Sequence, residues 1–300
     1  MEYLKGVSTK RVNKYPAKHR VHRTCKSIIT HDILMPNLDR EEKVIIMPDK
    51  YICKVTENKQ LAADIHSITI VSEKLTGEAR PGQFIHIKCG NERLLRRPIS
   101  ISNISDNALN FVFEIKGEGT RWLSECKPDS CLDILGPLGN GFDIPNGKII
   151  VVGGGIGVPP LLYTAGAVKG NVTAILGFRS KDRVILTDEF EKECGNVIIT
   201  TDDGSAGVHG PVTAPLKKLL DEEKYSAVLT CGPYAMLRAV AELCMSKGVP
   251  CQVSLEEKMG CGVGACLVCV CATEVKGKAD MSRVCVDGPV FSAADIVWES

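Results

Sequence analysis

Four cysteines near the C-terminus are the residues best suited to chemistry: Cys261, Cys266 and Cys269 in the run GCGVGACLVCVC, and Cys285 in RVCVDGPV. Their spacing is C-x4-C-x2-C, with fifteen further residues before the fourth. The first three match the loop that wraps a plant-type [2Fe–2S] cluster, whose irons are held by four thiolates. A tight loop presents three thiolates to one cluster only if its backbone bends around it, and Gly260, Gly262 and Gly264 supply that freedom. A structural zinc site is the alternative. Zinc sites usually show two C-x2-C pairs or mixed Cys and His ligands, whereas this segment has one such pair and no histidine nearby. Disulfides need an oxidising compartment, and no secretory leader is read at the N-terminus. Cys53, Cys89, Cys126, Cys131, Cys194, Cys244 and Cys251 read as small core residues or free thiols. Cys271 lies two residues past Cys269 and competes with it as a ligand; the x2 spacing favours Cys269.

Three further groups of residues could bind anionic ligands. GGGIGVPP, Gly153 to Pro160, follows a strand-like run and opens a helix-like one. The backbone N–H groups of Gly154, Gly155 and Gly157 could face a pyrophosphate there. The run is not a full G-x-G-x-x-G, so a tight turn without a ligand stays open beside that reading. A second strand end, Cys231-Gly232-Pro233, belongs to the same edge of an open α/β sheet, where ligands bind. In the N-terminal half, Arg97-Pro98-Ile99-Ser100 offers a guanidinium for a phosphate and a hydroxyl for a ring or phosphate oxygen. Gly119-Thr120, at the start of a short helix, could receive a phosphate too.

These residues need elements to position them. Between Tyr51 and Asp143, six short β-runs with turn signals predict a small antiparallel barrel: 51–61, 65–74, 82–90, 98–106, 109–117 and 131–139. A helix is expected only around Thr120 to Glu125. From Gly147 to Gln252, buried strands alternate with helices, which implies a parallel sheet. The fold class is therefore a multidomain β plus α/β protein: a barrel at 49–146, an α/β domain at 147–252 and a small cluster unit at 253–300 that depends on its metal. Residues 1–48 carry eight Lys or Arg and one acidic residue up to Lys26. They read as a basic extension, disordered or upstream of the true start, with the fold opening near Met47.

The chain has 300 residues, a net charge of +1 and 5% aromatics, so neither charge nor stacking surface points to nucleic acid. Ile149 to Val168 is uncharged for twenty residues. Its glycine cluster and Pro159-Pro160 argue for strand, turn and helix start rather than a membrane span.

The order of motifs, RPIS, a GT pair, GPLGNGF, GGGIG and CGP, resembles the ferredoxin–NADP reductase-like flavoproteins. The appended C-x4-C-x2-C loop and VCVDGPVF resemble the electron-transfer subunits of dihydroorotate dehydrogenase B, from about Tyr51 to Trp298. That resemblance implies FAD on Arg97, Pro98, Ile99 and Ser100, on Val112, Phe113 and Glu114, and on Gly119 and Thr120. It implies cluster ligation by Cys261, Cys266, Cys269 and Cys285. It also implies a cytoplasmic oxidoreductase of pyrimidine biosynthesis that carries electrons from the FMN of a catalytic subunit, through the cluster and FAD, to NAD+. A heterotetramer of two of each chain would follow. Cys231 would lie near the nicotinamide, or else be a small buried residue. Arg179, Ser180, Lys181 and Arg183 could accept a 2′-phosphate or form a solvated loop, while Asp202 and Asp203 disfavour further negative charge; the resemblance favours NAD. A diaphorase-type subunit with another partner, and a metal-stabilised interaction module without redox turnover, are the competing functions.

Overall fold

A computed structural model describes residues 48–298 apart from 91–93 and 169. The basic extension and the expected start near Met47 lie outside the described residues.

All six expected β-runs are strands: β1 (Lys50–Ala62), β2 (Ile65–Val71), β3 (Phe84–Lys88), β4 (Arg97–Ser105), β5 (Ala108–Glu114) and β6 (Cys131–Leu138). They close into an antiparallel barrel in the order β1-β2-β5-β4-β3-β6. Alternation sets the faces: in β6, Leu132 and Ile134 are buried inside with Ile68, Ile85 and Phe111, while Cys131 is exposed. The expected second run extends to Lys74, but β2 stops at Val71. Ser72 Oγ accepts the Leu75 N–H at 3.3 Å and caps a short helix, α1 (Glu73–Glu78). The helix expected near 120–125 is α2 (Glu118–Ser124).

The second half forms a seven-stranded sheet. Its strands are β7 (Ile149–Gly154), β8 (Val172–Phe178), β9 (Asn196–Thr201), β10 (Val208–His209), β11 (Ala227–Cys231), β12 (Cys251–Ser254) and, after a hairpin of β13 (Val270–Val275) and β14 (Lys278–Arg283), β15 (Val290–Ser292). The order is β10-β9-β8-β7-β11-β12-β15, parallel except for β15. β7 and β8 are buried along their whole length, as the strands of a covered parallel sheet must be. Helices α3 (Pro159–Ala167), α4 (Thr187–Glu193), α5 (Thr213–Glu222) and α6 (Tyr234–Ser246) connect them. The uncharged stretch from 149 is therefore β7, a turn and α3, with prolines in the first turn of the helix, where a missing N–H costs nothing. Among the described residues no helix is long and apolar enough to cross a membrane.

The segment expected as a separate unit from 253 is continuous with this sheet. β15 pairs with β12, and Ala293 and Ile296 share a core with Val152, Leu237 and Val253. Its folding does not rest on metal alone. The barrel meets the sheet at α3: Ser102 Oγ donates to the Pro159 carbonyl, and Tyr163 Oη to the Ala79 carbonyl, each at 3.1 Å.

Candidate functional site

The glycine-rich turn ahead of β13 folds its amides inward. Cys261 Sγ accepts the N–H groups of Val263, Ala265 and Cys266 at 3.4, 3.3 and 3.4 Å, and Cys266 Sγ accepts that of Cys261 at 3.4 Å. Burial raises the Cys261 thiol, but the amides outweigh it and bring the pKa down to about 7. Cys269 and Cys285 form the second pair, at 2% and 1% exposure. Burial and then the Cys269 sulfur push Cys285 up to about 12, and Cys285 also feels Cys261. Cys271 lies on β13, where burial and then the Glu257 carboxylate dominate its thiol.

Among the described residues, no three Cys, His, Asp or Glu side chains converge as a single-ion cage requires. The thiols stand instead as two pairs. Two irons sharing four cysteines take two each, whereas zinc takes all four at one centre. The four cysteines and their amide cradle fit the donor set of a two-iron cluster.

Two supports of this site are poorly legible in sequence. Asp287 accepts the N–H and Nε–H of Arg283 at 3.0 Å each, which closes the turn carrying Cys285. Asn140, in the GPLGNGF run after β6, donates through Nδ2 to the carbonyls of Val286 and Asp287 at 3.1 and 2.9 Å. That run is visible as a motif, but its target, almost 150 residues away, is not.

Gly262 has φ +72, and a Cβ there would lie 2.6 Å from Nδ1 of His86, a fully buried side chain of β3. Gly262→Ala would add roughly 1–2 kcal/mol of left-handed backbone strain to a collision with a ring that has no room to retreat. We expect this variant to purify with flavin and little iron, measured as the ratio of iron to flavin.

Arg97, Pro98, Ile99 and Ser100 open β4 and are all half-buried. Among the described residues the Arg97 guanidinium bonds only the carbonyls of Leu95 and Arg96, at 2.7 and 3.3 Å, so no carboxylate claims its charge. A Cβ on Gly119 would come within 2.7 Å of Arg97 Nε, so the Gly119-Thr120 turn lies directly against that guanidinium. The two segments, separate in sequence, lie against each other in the fold. Thr120 Oγ1 already accepts the N–H groups of Lys116 and Gly117 at 2.9 and 3.2 Å. The side chains of β5 are also committed: Val112 and Phe113 are buried, and Glu114 accepts Arg183 Nη2 at 2.6 Å. What β5 can offer a flavin is its backbone.

At the sheet edge, Cys231 is in register with Gly153, and a Cβ on Gly157 would lie 2.5 Å from the Cys231 carbonyl. A Cβ on Gly154 would lie 2.4 Å from Met236 Sδ and 3.0 Å from Pro233 Cδ. Gly154, Gly155, Gly157, Cys231, Gly232 and Pro233 thus make one surface. Cys231 keeps some solvent exposure, yet its surroundings push the thiol up to about 12 by burial, with the Ser254 hydroxyl opposing. Its thiol is neutral at pH 7 and is not a thiolate nucleophile.

Arg183 is not available to a 2′-phosphate, because it is shared between Asp64 and Glu114 of the barrel. The Arg183 hydrogen bond holds the Asp64 carboxyl below its usual range. A depressed carboxyl contributes stability above its unfolded value of about 4 and loses it as pH falls through the folded value. Arg183→Ala should therefore melt at a lower temperature than wild type at pH 7, and the two curves should converge in acid.

The barrel followed by a parallel sheet, with a flavin-type arginine strand and a glycine edge, defines a ferredoxin reductase-like protein. The fold matches the structure of an NADH-dependent reduced ferredoxin–NADP oxidoreductase (TM-score 0.74, 33% identity, 83% of this chain and 90% of that one). It also matches the ferredoxin reductase of carbazole 1,9a-dioxygenase (TM-score 0.59, 23% identity, 67% of each), which supports the fold alone. Residues 256–297 match the iron-sulfur cluster binding domain of dihydroorotate dehydrogenase B. The dihydroorotate dehydrogenase B (NAD(+)) electron transfer subunit of Caldanaerobacter subterraneus is 40% identical over 83% of this chain and 99% of its own. That of Fusobacterium nucleatum is 42% identical over 82% and 98%. The chain belongs to the family of dihydroorotate dehydrogenase B electron transfer subunits.

Proposed function

We propose that this chain is the NAD-linked electron-transfer half of a dihydroorotate dehydrogenase, working with an FMN-containing catalytic subunit in a complex of two copies of each. The carrying observation is the two thiol pairs, the first under an amide cradle, together with a barrel strand whose arginine, among the described residues, has no carboxylate partner. In this reading Cys261, Cys266, Cys269 and Cys285 hold a [2Fe–2S] cluster. Arg97 pairs with an FAD phosphate beside Gly119, and the backbone of Arg97–Ser100 and Val112–Glu114 lines the flavin. Gly154, Gly155, Gly157, Cys231, Gly232 and Pro233 receive NAD. Bound FAD would exchange hydride with nicotinamide and electrons singly with the cluster. The protein's own task is to hold the two centres at fixed separation and to exclude water. With Cys231 neutral, no side chain at the sheet edge acts as a nucleophile.

The test is an anaerobic visible spectrum before and after NADH, followed by orotate formation from dihydroorotate and NAD+ with the catalytic subunit added. Flavin and cluster bands that both bleach with NADH, and orotate formed only with both subunits, support the reading. A colourless protein with stoichiometric zinc overturns it. Bleaching without orotate, but with transfer to ferredoxin, would favour the ferredoxin-linked function of the 33%-identical structural relative.

A further inference from the structure

His86 is the anomalous polar residue of this fold. Among the described residues, its Nδ1 and Nε2 are the only buried side-chain nitrogen or oxygen atoms with no hydrogen-bond partner. The period-2 pattern of β3 explains where it points. Ile85 and Ile87 fill the barrel interior, so His86 faces outward. An outward histidine normally meets water, but this one has no exposed surface. Leaving a buried polar group unpaired costs about 1–3 kcal/mol, and native folds rarely accept that without a reason.

The cluster turn covers it. Gly262 sits directly on the ring, and the carbonyls of Cys261 and Arg96 are near enough to act on the ring protons, although neither has hydrogen-bonding geometry. The Arg96 carbonyl already accepts a bond from Arg97, which leaves that of Cys261 as the better acceptor. The charged groups facing the ring are Arg96, whose guanidinium is held on Asp133 at 2.6 Å, and Arg97. Burial and then Arg96 bring the imidazole down to about 4. On its own strand pairing, His86 lies opposite Pro98, the second residue of the proposed flavin segment. One side chain therefore touches the turn of the first cluster ligand while its backbone is hydrogen-bonded into the flavin strand's neighbourhood.

We propose that His86 is a positioning residue for the iron–sulfur centre: with the cluster in place, its imidazole donates a ring N–H to the Cys261 carbonyl and ties the 261–266 turn to the strand paired with Arg97–Ser100. The proposal rests on the cluster reading above. The bond draws electron density from the peptide of a ligand, which favours the reduced centre, and it fixes the turn relative to the flavin strand.

The test uses the full chain with FAD and cluster bound. In protein labelled with 15N on histidine, electron–nuclear double resonance of the reduced cluster should show a weak 15N coupling; its absence overturns the proposal. Potentiometric titration then compares wild type with His86→Leu, which keeps bulk without a donor, and His86→Gln, which keeps a donor. His86→Leu should shift the cluster's reduction equilibrium roughly tenfold toward the oxidised form, or about 59 mV for one electron, and His86→Gln should recover most of that shift. Equal potentials in all three proteins overturn the proposal, since a space-filling role would leave the potential unmoved. If His86→Leu takes up no iron or fails to fold, the 15N coupling in wild type decides. A wild-type protein with no cluster signal at all overturns the underlying reading as well; a normal signal without coupling overturns this inference alone.

Discussion

Cys269→Ser is expected to purify as a yellow flavoprotein without an iron–sulfur signal, and Cys271→Ser as one with the full signal. The two cysteines are two residues apart in sequence, but their sites differ. Cys269 is 2% exposed and lies against Cys285, the buried half of the proposed ligand set. Cys271 is already within β13, opposite Ser282, and its thiol is raised by burial and Glu257. In the proposed ligand set, Cys269→Ser would remove one of the four thiolates by which clusters of this class are held. NADH should still reduce the flavin of Cys269→Ser, because the proposed nicotinamide edge is built from β7 and β11 and not from the cluster turn. Iron content and the electron paramagnetic resonance signal after dithionite are the measurements. Signal loss in Cys271→Ser with retention in Cys269→Ser would reverse the assignment.

Arg97→Ala should raise the FAD dissociation constant about 10- to 100-fold, since a charge-assisted hydrogen bond contributes roughly 1.5–3 kcal/mol and each 1.4 kcal/mol is tenfold. The neighbouring arginine is an internal control. Arg96 is spent on protein groups: Nη1 donates to the carbonyls of His86 and Asp133, at 3.2 and 2.9 Å, and Nη2 to the Asp133 carboxylate at 2.6 Å. Arg96→Ala should thus lower the melting temperature of the apoprotein, whereas Arg97→Ala should leave it nearly unchanged and act on flavin affinity. Fluorescence titration of the apoprotein with FAD separates the two effects. Unchanged affinity in Arg97→Ala would place the phosphate site elsewhere.

The elements were legible because their signals are local. Period-2 runs with turn residues located all six barrel strands, and buried apolar runs alternating with helix-like segments located the sheet and its helices. Where a local strand signal conflicts with a cap, as at Ser72, the expected strand overruns the observed one. The flavin and glycine motifs were visible, but side-chain availability was not: Glu114 and Arg183 both carry suitable chemistry and neutralise each other across the barrel and sheet. That pairing spans 69 residues and has no periodic trace. The small C-terminal unit also reads as separate in sequence, because nothing local reveals that three residues near its end, Val290–Ser292, add an antiparallel strand to a sheet formed largely before it.

By itself the sequence determined the chemistry available: four cysteines at cluster spacing, an arginine strand, a glycine turn and the two-domain scaffold that carries them. Those follow from residue type and short-range spacing, which bonding geometry and backbone sterics read directly. Only the tertiary structure decided which groups are free to act. It pairs Cys269 with Cys285, leaves Arg97 without a carboxylate among the described residues while fully engaging Arg96, and seals His86 beneath Gly262. Availability depends on burial and on partners brought together from distant parts of the chain, and those are properties of packing.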